Sequence, residues 1–198
     1  MTIAILGAGA FGTALAIALS RDHQSISLWG RDDACLREMR QTRRSCKRLP
    51  GHELPGTLHL KSDLASLDAE IFLLAVPTQQ LRQFLEQFPK KTGTIVACCK
   101  GFDRETGHGP TSSIKEVMPN CEAGILSGPS FAEDIARGLP TALTIASQSE
   151  STTKALQDQL TRPALRLYRT TDVTGVEVGG GLKNVIAIAA GMTIGSGL

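Results

Sequence analysis

Short, uniformly apolar runs alternate along this chain with segments in which apolar residues recur at helical spacing. The runs are typical of strands buried on both faces of a sheet. They predict strands at 2–6, 25–29, 70–76, 94–99, 122–126, 141–146 and 165–168. The segments between them predict helices at 11–20, 34–44, 79–88, 111–118, 131–137 and 151–160, and a loop at 49–58. This alternation predicts an α/β fold with a doubly wound, mostly parallel sheet covered by helices on both faces.

The pattern changes near Thr174. Residues 176–198 form one long helical pattern of small residues with no strand after it. We therefore expect one domain over 1–173, and over 174–198 the first helix of an all-α domain whose remainder is absent. The nearly uncharged stretch 178–198 is rich in glycine and contains Lys183 and Asn184, which favours a buried protein helix over a membrane span.

Composition narrows the functional classes. The chain is 41% hydrophobic and 20% charged, with a net charge of +2, which fits a folded core. This near-neutral net charge gives no reason to expect binding to nucleic acid or to an acidic membrane, because such binding usually requires clustered lysine and arginine. One basic cluster, at 43–48, is expected to be a solvated loop.

The cysteines and histidines point to a reduced, metal-free protein. Five scattered cysteines without a CxxC pair favour neither a disulfide framework nor a zinc site, and reduced thiols suggest the cytoplasm. The chain starts directly with a strand, so no signal peptide is expected. The four histidines are expected in loops or at the surface, without a second ligand at metal spacing (His23, His52, His59 and His108).

A glycine-rich motif joins the first predicted strand to the first helix. Residues 7–12 read G-x-G-x-x-G, and in this setting the motif predicts a Rossmann-type dinucleotide site. Gly7 would permit the tight turn, Gly9 would let a pyrophosphate approach the backbone, and Gly12 would let the helix pack on the strand. The helix N-terminus would offer N–H groups to the phosphates.

The end of the second predicted strand bears on which dinucleotide is bound. An acidic residue there usually binds the ribose hydroxyls of NAD, but this chain has Arg31, followed by Asp32. A guanidinium suits a 2′-phosphate, which favours NADP over NAD. Asp32 keeps a ribose contact open, and a solvated Arg31 is the alternative.

Two candidate positions follow later strands. Lys100 comes just after the fourth predicted strand, where side chains reach the ligand crevice of an open α/β sheet. Ser130 starts a predicted helix, with Glu133 three residues later, which fits a capping box. Capping and a ligand role for Ser130 are both open.

Residues 179–184 form the other unusual stretch. Three glycines would let backbones approach closely, and Lys183 and Asn184 then interrupt an apolar helix. Burial of a lysine lowers its pKa towards neutrality, which is what a general acid or base requires. This polar pair is therefore expected to be functional.

Together these features resemble the bacterial NAD(P)-dependent glycerol-3-phosphate dehydrogenase family, from end to end of the chain. The Ser-Gly-Pro-Ser-Phe-Ala and Leu-Lys-Asn-Val-Ile-Ala segments are the most specific. The matching segments are 5–16, 28–30, 76–77, 100–101, 127–132, 138–142 and 175–187.

The resemblance implies reversible reduction of dihydroxyacetone phosphate to sn-glycerol 3-phosphate with NADP or NAD, feeding phospholipid synthesis, and a possible homodimer. Lys183 matches the family's catalytic proton donor and acceptor, and Lys100 matches a residue that contacts both cofactor and substrate. Further cofactor positions matched are Ala10, Phe11, Arg31, Pro77 and Ala132. Further substrate positions are Gly128, Ser130 and Asn184.

The chain also departs from the family. The loop at 45–50 lacks the asparagine and aromatic residue usual before Leu-Pro. The family continues with helices that supply an aspartate and an Arg-Asn pair, and without them the helix at 176–198 is expected to expose an apolar face. Two alternatives stay open: a related reductase such as ketopantoate reductase, and a truncated chain that binds the dinucleotide without turnover.

Overall fold

One eight-stranded sheet organises the chain. The computed structural model describes residues 1–22, 25–45, 48–89 and 92–197. The strands are β1 (Ile3–Leu6), β2 (Ile26–Trp29), β3 (Leu58–Lys61), β4 (Ile71–Leu74), β5 (Thr94–Ala97), β6 (Glu122–Ser127), β7 (Thr141–Ala146) and β8 (Leu165–Thr170). The helices are α1 (Ala10–Ser20), α2 (Asp33–Thr42), α3 (Leu81–Gln87), α4 (Pro110–Val117), α5 (Ala132–Arg137), α6 (Glu150–Leu160) and α7 (Val173–Gly195), with a 3-10 turn at Thr78–Gln80.

The strand order creates a crevice. The order is β3-β2-β1-β4-β5-β6-β7-β8, and β1 pairs in parallel with both β2 and β4. The chain thus runs outwards in opposite directions from β1, and a doubly wound sheet binds ligands at the carboxyl ends of its strands at such a reversal. Leu6 is in register with Trp29 and Leu74, so these three strands end level.

Both faces of the central strands are buried. Ile3 and Ile5 belong to one hydrophobic cluster, whereas Ala4 and Leu6 belong to the cluster on the opposite face. Uniformly apolar strands are therefore explained by two helical layers, as predicted.

One detail of the sheet differs from the prediction. Strand β3 lies in a region expected to be loop up to Leu58; its buried leucines alternate with an exposed His59, so it lacks a continuous apolar run. Strand β7 runs antiparallel to β6, which agrees with the predicted mostly parallel sheet. The sequence did not identify which strand is reversed, because hydrophobicity alone carries no information on strand direction.

Helix α7 differs most from expectation. The sequence predicted a buried helix over 178–198, but among the described residues of α7 only Glu177 is buried. Apolar side chains such as Val185 and Ile194 are 62% and 76% exposed, as the resemblance implied for a helix without partner helices. By length and composition alone α7 could cross a bilayer, but its first half packs on β6 and β7.

Candidate functional site

A cleft of about 1020 Å³ opens at the carboxyl ends of the central strands. Its size and position are those expected of a small-molecule or cofactor site at a topological reversal. It is lined by residues 7–12, 29–32, 34, 35, 38, 48, 75–79 and 98–100. The predicted cofactor positions Gly7, Gly9, Ala10, Phe11, Gly12, Arg31, Pro77 and Lys100 are all in this lining, and Ala132 is not.

The glycine turn is packed tightly on one side and open on the other. Gly7 has φ +124°, and a Cβ atom there would lie 2.4 Å from the carbonyl oxygen of Ala75. A Cβ at Gly12 would lie 2.0 Å from the carbonyl oxygen of Gly7, so only glycine allows α1 to start this close to β4. At Gly9, in contrast, a Cβ would face the cleft, with one atom within 4 Å, Arg48 Nη1 at 3.9 Å.

The N-cap residue of α1 offers no capping side chain. Gly9 holds this position, and glycine has no side chain with which to bond the first turn. The start of a helix without a cap leaves backbone N–H groups and the positive end of the helix dipole free to meet an anion. The geometry therefore fits a phosphate-bearing ligand above Gly9.

Two arginines and one aspartate also line the cleft. Arg31 is exposed there, as expected of a residue that meets a ligand or solvent. Asp32 accepts a hydrogen bond from the Cys35 N–H at 3.0 Å and caps α2, so its carboxylate already has a structural role. Arg48 was assigned to a solvated basic loop, but it lies in the cleft lining beside Gly9.

Four residues that the predictions from sequence cover lie outside the described part of the structure. They are His23, Cys46, Lys47 and Leu198, and two of them, Cys46 and Lys47, belong to the loop that departs from the family. His52, in contrast, is largely buried, and its Nε2 lies 3.0 Å from a carboxylate oxygen of Glu133. Among the described residues no group of three or more His, Cys, Asp or Glu side chains could hold a metal ion.

Lys100 reaches from the end of β5 towards the loop after β6. Its backbone carbonyl accepts a hydrogen bond from Thr78 Oγ1 at 2.7 Å, and its Nζ donates to the Gly128 carbonyl at 3.0 Å. The side chain is half-buried, and burial lowers the pKa of Lys100, with the neighbouring Lys183 ammonium lowering it further. Two positive charges held close together favour the binding of an anionic or electron-rich ligand.

Lys183 arrives at the same place from α7. Its Nζ donates to the Ser130 carbonyl at 3.3 Å and lies 5.3 Å from the centre of the Phe131 ring. The side chain is half-buried, not buried as expected. The structure thus brings together the two lysines that the sequence analysis singled out separately.

The glycines of α7 explain how the helix comes so near. A Cβ at Gly180 would lie 2.6 Å from Ser127 Oγ, and one at Gly181 would lie 3.0 Å from the Phe102 ring. Gly179 has open space around it, so two of the three glycines serve the close approach predicted for them. Asn184, next to Lys183, is exposed.

The predicted capping box at Ser130 is wrong. Helix α5 begins one residue later than that motif requires, and its N-cap residue is Phe131, whose side chain makes no capping hydrogen bond. Glu133 instead pairs with His52 and Arg137. The Ser130 hydroxyl is buried and has no hydrogen-bond partner within the part of the chain that the structure describes, which makes it a ready group for a ligand.

Two cysteines close the floor of the cleft at the end of β5. Cys98 and Cys99 are 6% and 7% exposed. Burial raises the pKa of both thiols, so neither is suited to act as a nucleophile at neutral pH.

Sequence reasoning also missed Glu177. This carboxylate is 8% exposed on α7 and binds the start of α4. The available signal was the one acidic residue of a glycine-rich helix whose only other charged residue is Lys183, six positions later.

Comparison with known proteins agrees with this geometry. Residues 2–153 match the family model "NAD-dependent glycerol-3-phosphate dehydrogenase N-terminus", and residues 172–198 match the corresponding C-terminus model. A glycerol-3-phosphate dehydrogenase (NAD(P)+) from Ruegeria sp. (strain TM1040) is 52% identical over 201 residues, covering 100% of this chain and 62% of the relative. One from Herminiimonas arsenicoxydans is 44% identical, covering 98% and 61%.

Solved structures give the same result. The crystal structure of glycerol-3-phosphate dehydrogenase from Coxiella burnetii superimposes with a TM-score of 0.88 at 32% identity, covering 98% of this chain and 61% of that one. The Plasmodium falciparum enzyme gives 0.89 at 25% identity, covering 100% and 60%. The chain thus spans less than two thirds of the length of these relatives. By the match over most of its length, the chain belongs to the NAD-dependent glycerol-3-phosphate dehydrogenase family.

Proposed function

We propose that this chain carries the cofactor site and the catalytic lysines of an NAD(P)-dependent glycerol-3-phosphate dehydrogenase, which interconverts dihydroxyacetone phosphate and sn-glycerol 3-phosphate. The observation that carries the proposal is the convergence of Lys100 and Lys183. Their ammonium groups come from different elements and bind the neighbouring carbonyls of Gly128 and Ser130. The family match gives ketopantoate reduction no support.

The residues of the cleft fit a nicotinamide dinucleotide. The open space above Gly9, the uncapped start of α1 and the Arg48 guanidinium suit its pyrophosphate. Arg31 suits a 2′-phosphate, which favours NADP, and Pro77 lies on the β4 side of the cleft. When bound, the nicotinamide supplies or accepts the hydride at C2 of the substrate.

The lysine pair supplies charge and a proton at the substrate oxygen. We assign to Lys183 the transfer of a proton to the C2 oxygen during reduction and its removal during oxidation. Lys100 adds positive charge beside the same oxygen, where negative charge develops. The Ser130 hydroxyl, which has no partner among the described residues, and the Gly128 backbone would hold the substrate against the two ammonium groups. Asn184 remains a predicted substrate contact.

The first test is turnover in the protein expressed from its full gene. Lys183→Ala and Lys100→Ala should each lower kcat for dihydroxyacetone phosphate by about 10²-fold or more, the scale of a lost proton donor. Lys154→Ala, at an exposed position on α6, is the matched control and should leave kcat unchanged. Near-normal turnover by Lys183→Ala, or faster reduction of ketopantoate, would contradict the proposal.

The second test distinguishes the roles of Arg31 and Arg48 in dinucleotide binding. Arg31→Ala should weaken NADPH binding more than NADH binding, because only NADPH carries the 2′-phosphate. Arg48→Ala should weaken both equally, because both carry the pyrophosphate. Calorimetric titration of the 198-residue chain with each dinucleotide, alongside an activity assay, also decides whether this chain alone binds without turnover.

The same proposed function bears on the expected partner, location and oligomeric state of the protein. A small-molecule phosphate is the expected partner. A cytoplasmic location and a homodimer remain predictions, as does a domain boundary at 173–174.

A further inference from the structure

The Glu177 carboxylate is buried at the N-terminus of α4 and is not part of the cleft lining. Its Oε1 accepts hydrogen bonds from the backbone N–H and the hydroxyl of Thr111, both at 2.8 Å. The N-cap residue of α4, Gly109, has no side chain to offer, and Pro110 has no N–H. The carboxylate therefore caps α4 from a different helix, and its charge meets the positive end of the α4 dipole.

The fit at this contact leaves no spare room. A Cβ at Gly109 would lie 2.1 Å from Glu177 Oε2, so the carboxylate occupies the space that a side chain would fill. Burying a carboxylate is unfavourable unless hydrogen bonds replace its water, and here two do. Glu177 therefore ties α7 to the helical layer over the sheet at one fixed point.

Lys183 lies six residues further along the same helix. At about 1.5 Å per residue, six residues span about 9 Å of a rigid helix, less than two turns. Between them, Gly180 packs against Ser127 at the end of β6, so α7 has three successive contacts, with Thr111 of α4, with Ser127 and with Ser130. Fixing Glu177 fixes both the rotation of α7 and its position along its axis, and hence where the Lys183 ammonium arrives.

We propose that Glu177 is a positioning residue, whose cap on α4 holds α7 at the register that places the Lys183 ammonium beside Lys100 and the Ser130 carbonyl. The proposal rests on the proposed function only for the chemistry of the lysine pair. The contact itself involves neither substrate nor cofactor.

Lys100 supplies a readout that does not depend on activity. Its pKa is lowered by burial first and then by the neighbouring Lys183 ammonium. If α7 shifts and carries Lys183 away, the pKa of Lys100 should rise towards its ordinary value. A purely electrostatic effect of losing the Glu177 charge would act in the opposite direction, because a nearby anion favours the protonated lysine.

The experiment measures the Lys100 pKa by NMR of labelled lysine side chains, assigned by comparison with Lys100→Arg. Glu177→Ala should raise this pKa and lower kcat by about 10-fold or more, with the KM for the dinucleotide unchanged. Glu177→Gln should keep kcat near wild type and should not raise the Lys100 pKa, because its amide oxygen still accepts the Thr111 hydrogen bonds and only the charge is lost. Glu86→Ala, at an exposed position of α3, is the matched control.

A third variant keeps the test decisive if Glu177→Ala does not fold. Glu177→Asp retains the charge but is one methylene too short to reach Thr111 from the present helix position, so it should also raise the Lys100 pKa. An unchanged Lys100 pKa in a folded Ala or Asp variant overturns the proposal. Failure of the proposed function alone would abolish the kcat readout and leave the pKa result standing.

Discussion

Replacing Gly180 by alanine should push α7 away from the sheet, whereas the same replacement at Gly179 should be harmless. A Cβ at Gly180 would lie 2.6 Å from Ser127 Oγ, but one at Gly179 would meet no atom within 4 Å. Both glycines are inside α7, so both substitutions gain about 1 kcal/mol of helix propensity. The steric contact with Ser127 is therefore the difference between the two variants.

The size of the effect follows from that contact. Overpacking a tight contact costs about 1–3 kcal/mol. After the propensity gain, Gly180→Ala should destabilise the protein by about 0–2 kcal/mol, whereas Gly179→Ala should stabilise it by up to about 1 kcal/mol. A displacement of about 1 Å at a catalytic group can cost about 10²-fold in rate, so kcat should fall by at least about 10-fold in Gly180→Ala.

The assay is a double-mutant cycle with Ser127→Ala, read by urea unfolding, hydrogen exchange of α7 amides and steady-state kinetics. A Cβ at Gly180 would lie 3.6 Å from Ser127 Cβ, an ordinary contact once the hydroxyl is gone. The Ser127 hydroxyl is buried without a partner in the described part of the chain, so its removal breaks no hydrogen bond. The double variant should therefore recover stability and kcat, with a coupling energy of about 1–2 kcal/mol.

Two results would refute this reasoning. Equal stability and equal kcat for the Gly179 and Gly180 variants would show that α7 does not need its close approach. A Gly180→Ala defect that Ser127→Ala fails to relieve would show that another contact limits the helix.

Three further predictions concern the cleft. Cys98 and Cys99 should react with iodoacetamide at pH 8 far more slowly in the folded protein than in urea, because burial hides both thiols and raises their pKa; rapid labelling of the native protein, seen by peptide mass spectrometry, would contradict this. In the folded state the pKa of Lys100 is lowered below the ordinary value of 10.5 that it has in the unfolded chain. Between the folded and the unfolded pKa the unfolded chain binds more protons, so the free energy of unfolding should rise with pH across that window. In urea unfolding, Lys100→Met should lose this rise. Gly12→Ala should reduce both stability and dinucleotide affinity, because its Cβ would lie 2.0 Å from the Gly7 carbonyl, a backbone atom that cannot rotate away; unchanged calorimetric affinity would count against the turn geometry.

The central fold was predictable because its signals are local. β1, the glycine turn and α1 follow one another in sequence, and burial on both faces makes β1 apolar throughout. β3 escaped prediction because only Leu58 and Leu60 are buried, and His59 interrupts the run. Local patterns reveal elements buried on both faces better than edge strands.

The site was predictable residue by residue but not as an arrangement. Lys100 and Lys183 each stood out from their neighbours, yet their meeting depends on α7 crossing the end of β6. The partner of Glu177, Thr111, is 66 residues away, and no spacing rule connects them. Ser130 is the opposite case, in which a local motif predicted a contact that does not form. The sequence motif for an N-cap is present there, but Phe131 takes the N-cap position in the structure.

The single tryptophan allows binding in the cleft to be followed by fluorescence. Trp29 is the sole indole in the sequence; the residue belongs to the cleft lining, and its Nε1 donates to the Ser62 carbonyl at 2.9 Å. The residue is 6% exposed and its ring centroid lies 5.5 Å from that of Phe84, so we expect the emission of a shielded chromophore. Because a reduced nicotinamide absorbs where indole emits, occupancy of the cleft can be followed by energy transfer from this one residue, without an added label.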